Sequence, residues 1–330
     1  MTGLLIEACE EIWPLKKVFR ISRGSRSEAQ VVVVTVAKDD HIGRGEGVPI
    51  KRYEQSVESV LAQIESIKVE KNLDRQQLQK LLPAGAARNA LDCALWDLEV
   101  KTCGKRVWEL ANVPIVPEVR TSFTISLDTP EKMAAAAAVA AELPILKLKL
   151  QGDDLDLARV KGVRESAPAA RLLLDANESW SPEHYRKIVP ALHELGVELI
   201  EQPFPANADE VLEMLEDIDH PIPVCADESC HTTADLRRLT NRYDMINVKL
   251  DKTGGLTEAL RLCDRARDSG FKLLIGCMVG TSLGMAPARL LASAADYVDL
   301  DGPLLMARDR EHGLAYDNCK IEMPSRELWG

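Results

Sequence analysis

Residues 145–150 read Ile145-Leu146-Lys147-Leu148-Lys149-Leu150. Successive side chains of a β-strand point to opposite faces. Leu146, Leu148 and Leu150 therefore share one apolar face, and Ile145, Lys147 and Lys149 share the other. A strand with apolar residues outward and two lysines inward fits the wall of a barrel whose site lies at the strand C-termini. The surrounding chain repeats this unit. From about residue 118, short strands are predicted to end near Thr124, Lys149, Asp175, Glu201, Asp227, Lys249, Gly276 and Asp299, and the intervals between 149, 175, 201 and 227 are each 26 residues. That length holds a strand, a turn and a helix of roughly three to four turns. Thr129-Pro130-Glu131 and Ser181-Pro182-Glu183 each place a hydroxyl at an N-cap and proline at the first helical position. Eight such units predict an α/β barrel. A doubly wound open sheet would not favour eight near-equal units.

Before about residue 117 the pattern differs. Val31–Val36 reads as a β-branched strand, with Gly43, Gly45 and Gly47 in the turn region after it. Helical segments are predicted near 54–67, 74–80 and 84–98, the last carrying Ala87, Ala90, Leu91, Ala94, Leu95 and Leu98 at helical spacing. Pro114 and Pro117 mark a boundary.

Three successive predicted strand ends carry a carboxylate: Asp175, Glu201 and Asp227. The inward lysines Lys147 and Lys149 precede them, Lys249 follows, and Asp299 and Asp301 share a face at the last strand end. Three oxygen donors without His or Cys suit a hard cation, Mg²⁺ before Zn²⁺. Any one of these acids is equally well read as a cap for the helix after its strand. Three in a row favour ligation, because unpaired buried carboxylates repel one another. A lysine inside a barrel, beside other cations and a metal, is expected to have its pKa pushed below about 10.4 and so to serve as a base. Lysines on opposite sides can reach opposite faces of one carbon, as a racemase or epimerase requires. The competing role for Lys147 and Lys149 is an ion pair with the acids.

Composition excludes other classes. Lys plus Arg total 41 against 52 Asp plus Glu, a formal charge of −11, and aromatic residues are 4%. No nucleic-acid partner is expected from so acidic and aromatic-poor a chain. The eight cysteines are scattered with no C-x-x-C pair, against a zinc ribbon or a thioredoxin-type site. No apolar run reaches about 18 residues, so no membrane span is expected. Met1–Leu15 lacks the order of a signal peptide. The expectation is a cytoplasmic protein with reduced thiols, and a homo-oligomeric assembly is left open.

Lys147-x-Lys149, Asp175, Glu201, Asp227 and Lys249 at successive strand ends resemble the enolase superfamily, muconate-lactonising subgroup. That superfamily uses a Lys or His base with Mg²⁺ stabilising an ene-diolate. More narrowly the chain resembles the L-Ala-D/L-Glu dipeptide epimerases, in the blocks Arg23–Ala29, Leu82–Asp92, Asp175–Trp180, Lys249–Gly255 and Asp299–Pro303. The resemblance implies a modified (β/α)₇β TIM-like barrel over residues 118–303. It also implies an N-terminal α+β capping domain over residues 1–117, completed by the tail at about 304–330. It implies Mg²⁺ on Asp175, Glu201 and Asp227, with Lys149 and Lys249 as the two acid/base groups and Lys147 assisting. Asp299 and Asp301 would hold the ammonium of a small dipeptide, L-Ala-D/L-Glu. Arg26 would pair with the γ-carboxylate, as a planar guanidinium suits. Arg23 is close enough to leave that choice open, and either arginine is also read as a solvated surface cation. Cys277 and Met278 would line the pocket, which a buried strand explains almost as well. Murein-peptide recycling is the implied setting.

Other readings make different demands. An o-succinylbenzoate synthase or cycloisomerase of the same superfamily would not need the Asp299/Asp301 pair. A mandelate-type dehydratase prefers a histidine where this chain has Gly276-Cys277-Met278. A Schiff-base aldolase needs one buried lysine but not three acids. A binding protein that has lost catalysis would not require both lysine sides and all three acids.

Overall fold

A computed structural model of the chain describes residues 3–68, 70, 73–215 and 221–330. Three antiparallel strands, β1 (Leu5–Ile21), β2 (Gly24–Lys38) and β3 (His41–Gly47), form one sheet in that order. Helices α1 (Val57–Ile67), α2 (Arg75–Leu81), α3 (Ala86–Cys103) and α4 (Val107–Ala111) follow. Ser56 and Asp74 cap α1 and α2, each accepting a hydrogen bond from the backbone three residues on.

Gly43, Gly45 and Gly47 lie inside β3, not in a turn. They let β3 sit directly on α3. A Cβ at these positions would stand 2.2, 2.1 and 2.3 Å from the carbonyl oxygens of Ala94, Ala90 and Ala86. Two strand residues rise about 6.6 Å and four helix residues about 6 Å, so the glycines and alanines stay in step along the contact. The other side of α3, with Cys93, Trp96 and Val100, joins the core of the barrel.

Strand β4 (Val119–Arg120) leads into the barrel. Its elements in chain order are β5 (Phe123–Ile125), α5 (Pro130–Val139), β6 (Ile145–Lys149), α6 (Asp156–Ser166), β7 (Arg171–Asp175), α7 (Pro182–Glu194), β8 (Val197–Glu201), β9 (Val224–Ala226), α8 (Leu236–Leu239), β10 (Met245–Val248), α9 (Leu250–Thr253), α10 (Leu256–Asp268), β11 (Lys272–Gly276), α11 (Ser282–Arg289), β12 (Tyr297–Asp299) and α12 (Gly302–Leu305). Strands β5 to β12 are all parallel and neighbour one another in chain order. The backbone N–H of Ser122 donates to the carbonyl of Val298 at 2.8 Å and nearly closes the ring. The eight predicted strand ends match to within about two residues. Thr129 and Ser181 cap α5 and α7 with proline in the first turn, as read from sequence.

The equal-unit expectation fails in the helices. Among the described residues, β8 is followed by a 3₁₀ turn over Asp209–Leu215, and α8, α9 and α12 are single turns. The alternation holds because the strand spacing is set by the barrel, whereas the outer layer is free to vary. A small antiparallel sheet joins β4 to β14 (Lys320–Ile321) and β13 (Tyr316–Asp317) in the C-terminal segment. No described helix is long and apolar enough to cross a membrane.

Candidate active site

The strand parity read from sequence is realised layer by layer. Ile145, Leu173, Leu199, Cys225, Met245 and Leu274 fill the barrel interior at its lower level. Leu146, Leu148 and Leu150 face the outer core. Two residues above the interior layer stand Lys147, Asp175, Glu201, Asp227, Asn247, Gly276 and Asp299. All are buried, and Lys149 and Lys249 are buried at the mouth. Lys149 is in register with Asp175, and Asp175 with Glu201. Adjacent strands are about 4.8 Å apart, so the acids are close neighbours.

The lysines and acids neutralise one another. Lys147 Nζ lies 2.6 Å from Glu201, 2.7 Å from Asp299 and 3.5 Å from Asp175. Lys149 Nζ lies 2.5 Å from Asp175, and Lys249 Nζ 2.7 Å from Asp227. Ser122 donates to Asp299 at 2.5 Å, and the Thr124 backbone N–H to Asp301 at 2.7 Å.

With no cation among the acids, these contacts raise the pKa values of Lys147 and Lys249 instead of lowering them. Burial disfavours the charged form of Lys147, but Asp299, Glu201 and Asp175 outweigh it and hold its pKa well above the usual range. Lys249 is likewise raised, burial being overcome by Asp227 and Glu201. Burial opposes ionisation of Asp175, but Lys149 and Lys147 win and bring it to about 2. Burial and the charge of Asp175 raise Glu201. Burial and its neighbour Asp299 push Asp301 to about 6. Burial pushes the Cys277 thiol well up, while Cys277 and Met278 pack half-buried beside the main core.

Among the described residues no three acids, histidines or cysteines converge as a ready metal cage, because each acid is drawn to an ammonium group. The donor set nevertheless fits a hard cation. Glu201 Oε2 and Asp227 Oδ1 are buried and accept no well-directed hydrogen bond, although ammonium groups stand 2.6 and 2.7 Å away. Both retain lone pairs that a cation could take, and all three candidate ligands are carboxylates.

The β1–β2 hairpin reaches over the mouth. Ser22 donates to the Asn177 carbonyl at 3.2 Å. Arg23 donates to the same carbonyl at 2.7 Å and pairs with Glu228 at 2.6 Å and Glu178 at 3.1 Å. Arg52 forms two 2.8 Å bonds to Glu178. Arg26 is exposed, and its guanidinium has no hydrogen-bond or ion-pair partner among the described residues. Beside the mouth, a cleft of about 490 Å³ opens between Arg52, Tyr53, Gln55, Gly85, Glu228 and Asp251.

Sequence reasoning passed over Asn247, Glu228, Ser122 and Lys252. Asn247 shares the parity of Lys249 and was legible on that ground; its Nδ2 donates to Glu201 at 2.7 Å. Glu228 directly follows Asp227. Ser122 precedes the first barrel strand and Lys252 sits on a helical turn, so no strand alternation marks either.

A barrel mouth that sets lysines across from one another above a ring of acids defines an enzyme suited to acid–base chemistry at carbon. Residues 5–111 match the mandelate racemase / muconate lactonizing enzyme N-terminal domain, and residues 131–325 the enolase C-terminal domain-like family. The chain is 45% identical over 322 residues to the L-Ala-D/L-Glu epimerase of Escherichia coli K12, covering 96% of this chain and 99% of that protein. It is 43% identical to an N-acetyl-D-glutamate racemase of a Pseudoalteromonas species, covering 91% and 95%. A crystal structure of an Agrobacterium tumefaciens enolase family member with homology to dipeptide epimerases, with bound sodium and L-Ala-L-Glu, superposes with TM-score 0.96 at 47% identity over 99% of this chain and 100% of that one. A dipeptide epimerase from Enterococcus faecalis V583 in complex with Mg and L-Leu-L-Tyr gives TM-score 0.91 at 28% identity, covering 98% of both chains. The chain belongs to the mandelate racemase/muconate lactonizing family of the enolase superfamily. It is an isomerase of the racemase and epimerase kind.

Proposed function

We propose that this protein epimerises L-Ala-D/L-Glu, inverting the α-carbon of the C-terminal residue by 1,1-proton transfer between two lysines. The observation that carries the reading is the placement of Lys149 and Lys249. In the order β5 to β12 of the nearly closed ring, the strand that ends in Lys149 and the strand that leads to Lys249 are separated by three strands on either side. They therefore stand across the mouth from each other, and a carbon between them is open on both faces. One lysine takes the α-proton to leave an ene-diolate, and the other, protonated, returns a proton to the opposite face. Lys147, held by Glu201, Asp299 and Asp175, adds a fixed positive charge below the reacting carboxylate.

Asp175, Glu201 and Asp227 are the residues that would hold Mg²⁺. When bound there, the cation supplies charge that weakens the acids' hold on the lysine protons and draws off negative charge developing on the substrate carboxylate. Asp299 and Asp301 take the substrate ammonium, a role supported by two buried carboxylates that stand close enough at the last strand end to act on each other. Arg26 takes the γ-carboxylate: its guanidinium is uncommitted, whereas Arg23 is spent on Glu228, Glu178 and the Asn177 carbonyl. Cys277 and Met278 form part of the wall. In this reading residues 118–303 are the catalytic barrel, and residues 1–117 with the tail from about 304 are the cap that selects the side chain.

The test is a panel of dipeptides and N-acyl amino acids incubated with enzyme and Mg²⁺ in D₂O and read by mass spectrometry. L-Ala-L-Glu is expected to gain one dalton and to yield the D-Glu epimer, with N-acetyl-glutamate slower because it brings no ammonium to Asp299 and Asp301. Faster exchange of N-acetyl-glutamate would overturn the dipeptide assignment while leaving the proton-transfer chemistry standing.

A further inference from the structure

Lys252 has no part in the reaction proposed above, yet its side chain is fully buried against Asp227. Its ammonium group lies against three oxygens, two of them backbone carbonyls to which it donates and the third a carboxylate oxygen. It donates to the backbone carbonyls of Asp227 and of Asn247, the latter at 2.9 Å, and pairs with Asp227 Oδ1 at 2.7 Å. Asn247 in turn donates from Nδ2 to Glu201 Oε1 at 2.7 Å. Gly276 leaves the room for that side chain: a Cβ there would stand 2.5 Å from Asn247 Oδ1.

The position matters because of where the β9–β10 ladder stops. Its registered pairs are Met245 with Cys225 and Ile246 with Ala226. Asp227 and Asn247 lie just beyond, where no backbone pairing between these strands fixes their separation. Lys252, on the α9 turn, joins the two chain segments there through a backbone carbonyl of each, whereas Lys249 pairs with the Asp227 side chain.

We propose that Lys252 is a positioning residue for the cation site: it fixes Asp227 directly and, by holding the Asn247 carbonyl, fixes the amide that orients Glu201. The proposal rests on the reading of Asp175, Glu201 and Asp227 as cation ligands. Lys252 touches no substrate in this scheme and moves no proton. Partners that orient metal ligands typically contribute a factor of about 10–100 in metal affinity.

The experiment is calorimetric titration of the purified full-length chain with Mg²⁺ alone, on the wild type and on Lys252→Met, Lys252→Gln and Asp175→Asn, with folding checked by circular dichroism. Lys252→Met is expected to fold and to bind Mg²⁺ about 10–100-fold more weakly. Its kcat should recover with added Mg²⁺ and its dipeptide KM should stay near wild type. Lys252→Gln, which keeps two donors, carries the test if the methionine variant does not fold. Unchanged or tighter Mg²⁺ binding in the Lys252 variant, with binding weakened in Asp175→Asn, overturns the positioning role alone. Unchanged binding in Asp175→Asn removes the cation site itself, and the proposal with it. Loss of folding in both Lys252 variants makes the residue part of the fold only, and also overturns it.

Discussion

At the scale of single residues, the site holds its charges in balance. Lys149 and Lys249 each meet a carboxylate, at 2.5 and 2.7 Å. For Lys147 and Lys149 an ion pair is the role weighed against catalysis in the sequence, and the structure contains it for both and for Lys249 as well. The two roles are compatible. A base must shed its proton to act, and anything that occupies the acids loosens the lysine protons. Lys149→Ala and Lys249→Ala are each expected to lose epimerisation by more than about 10³-fold, since a general base or acid contributes about 10²–10⁴ and inversion needs both. Each variant keeps one lysine, so each should still exchange the α-proton of a single epimer with D₂O. Wild-type epimerisation in either variant would refute the two-base assignment. Arg26→Ala belongs to the same scale: KM for L-Ala-L-Glu is expected to rise about tenfold or more, with little change for a dipeptide ending in an apolar residue. Equal effects on both substrates would move the γ-carboxylate contact elsewhere.

At the scale of elements, period-two alternation made the barrel legible. Where a strand is buried on both sides, parity alone separates Lys147 and Lys149 from Leu146 and Leu148. The acids at 175, 201 and 227 fall on that same parity. What alternation cannot show is contact between distant segments. The glycines of β3 read as a turn because glycine commonly marks turns. Their actual reason is α3, some forty residues later in the chain. Asn247 was within reach of the parity argument, whereas Lys252 and Ser122 were not. A substitution tests the β3–α3 contact. In Gly45→Ala the new methyl would lie 2.1 Å from the Ala90 carbonyl oxygen and 2.7 Å from the Ala94 amide nitrogen, both backbone atoms that cannot rotate away. Overpacking of this kind costs about 1–3 kcal/mol. Urea unfolding should show a lower midpoint for Gly45→Ala, and an unchanged midpoint would mean that β3 and α3 tolerate separation.

At the scale of the whole molecule, α3 holds the cap to the barrel through buried polar contacts. Arg88 donates to the carbonyls of Thr253 and Gly254, Asp92 accepts from the Thr257 backbone, and Trp96 donates to Thr257 Oγ1. The C-terminal residues lock onto the same helix: Trp329 Nε1 donates to the Cys93 carbonyl and the Gly330 N–H to Asp97. Next to the site the joint passes through Asp251, whose Oδ1 accepts from the Val48 backbone and from Asn89, each at 2.8 Å. Burial raises the Asp251 carboxyl to about 7; the two hydrogen bonds and Lys249 oppose the rise, and the charge of Glu46 adds to it. In the unfolded chain an aspartate titrates near 3.9. Between those values the folded state binds more protons than the unfolded one, so this group's contribution to stability falls as pH rises through the window. Asp251→Asn keeps an oxygen for both hydrogen bonds and removes the ionisation. Its stability relative to wild type is therefore expected to increase from about pH 4 to pH 7 and then level off, with a total gain on the order of 1–4 kcal/mol. Thermal unfolding of the two proteins across pH 4–8 measures it. A difference that stays flat with pH would mean that the carboxyl is ionised at the joint throughout. A difference that shrinks as pH rises would mean that the charge strengthens the cap–barrel contact, so that cap and barrel are held by Asp251 as an anion and not merely as an acceptor.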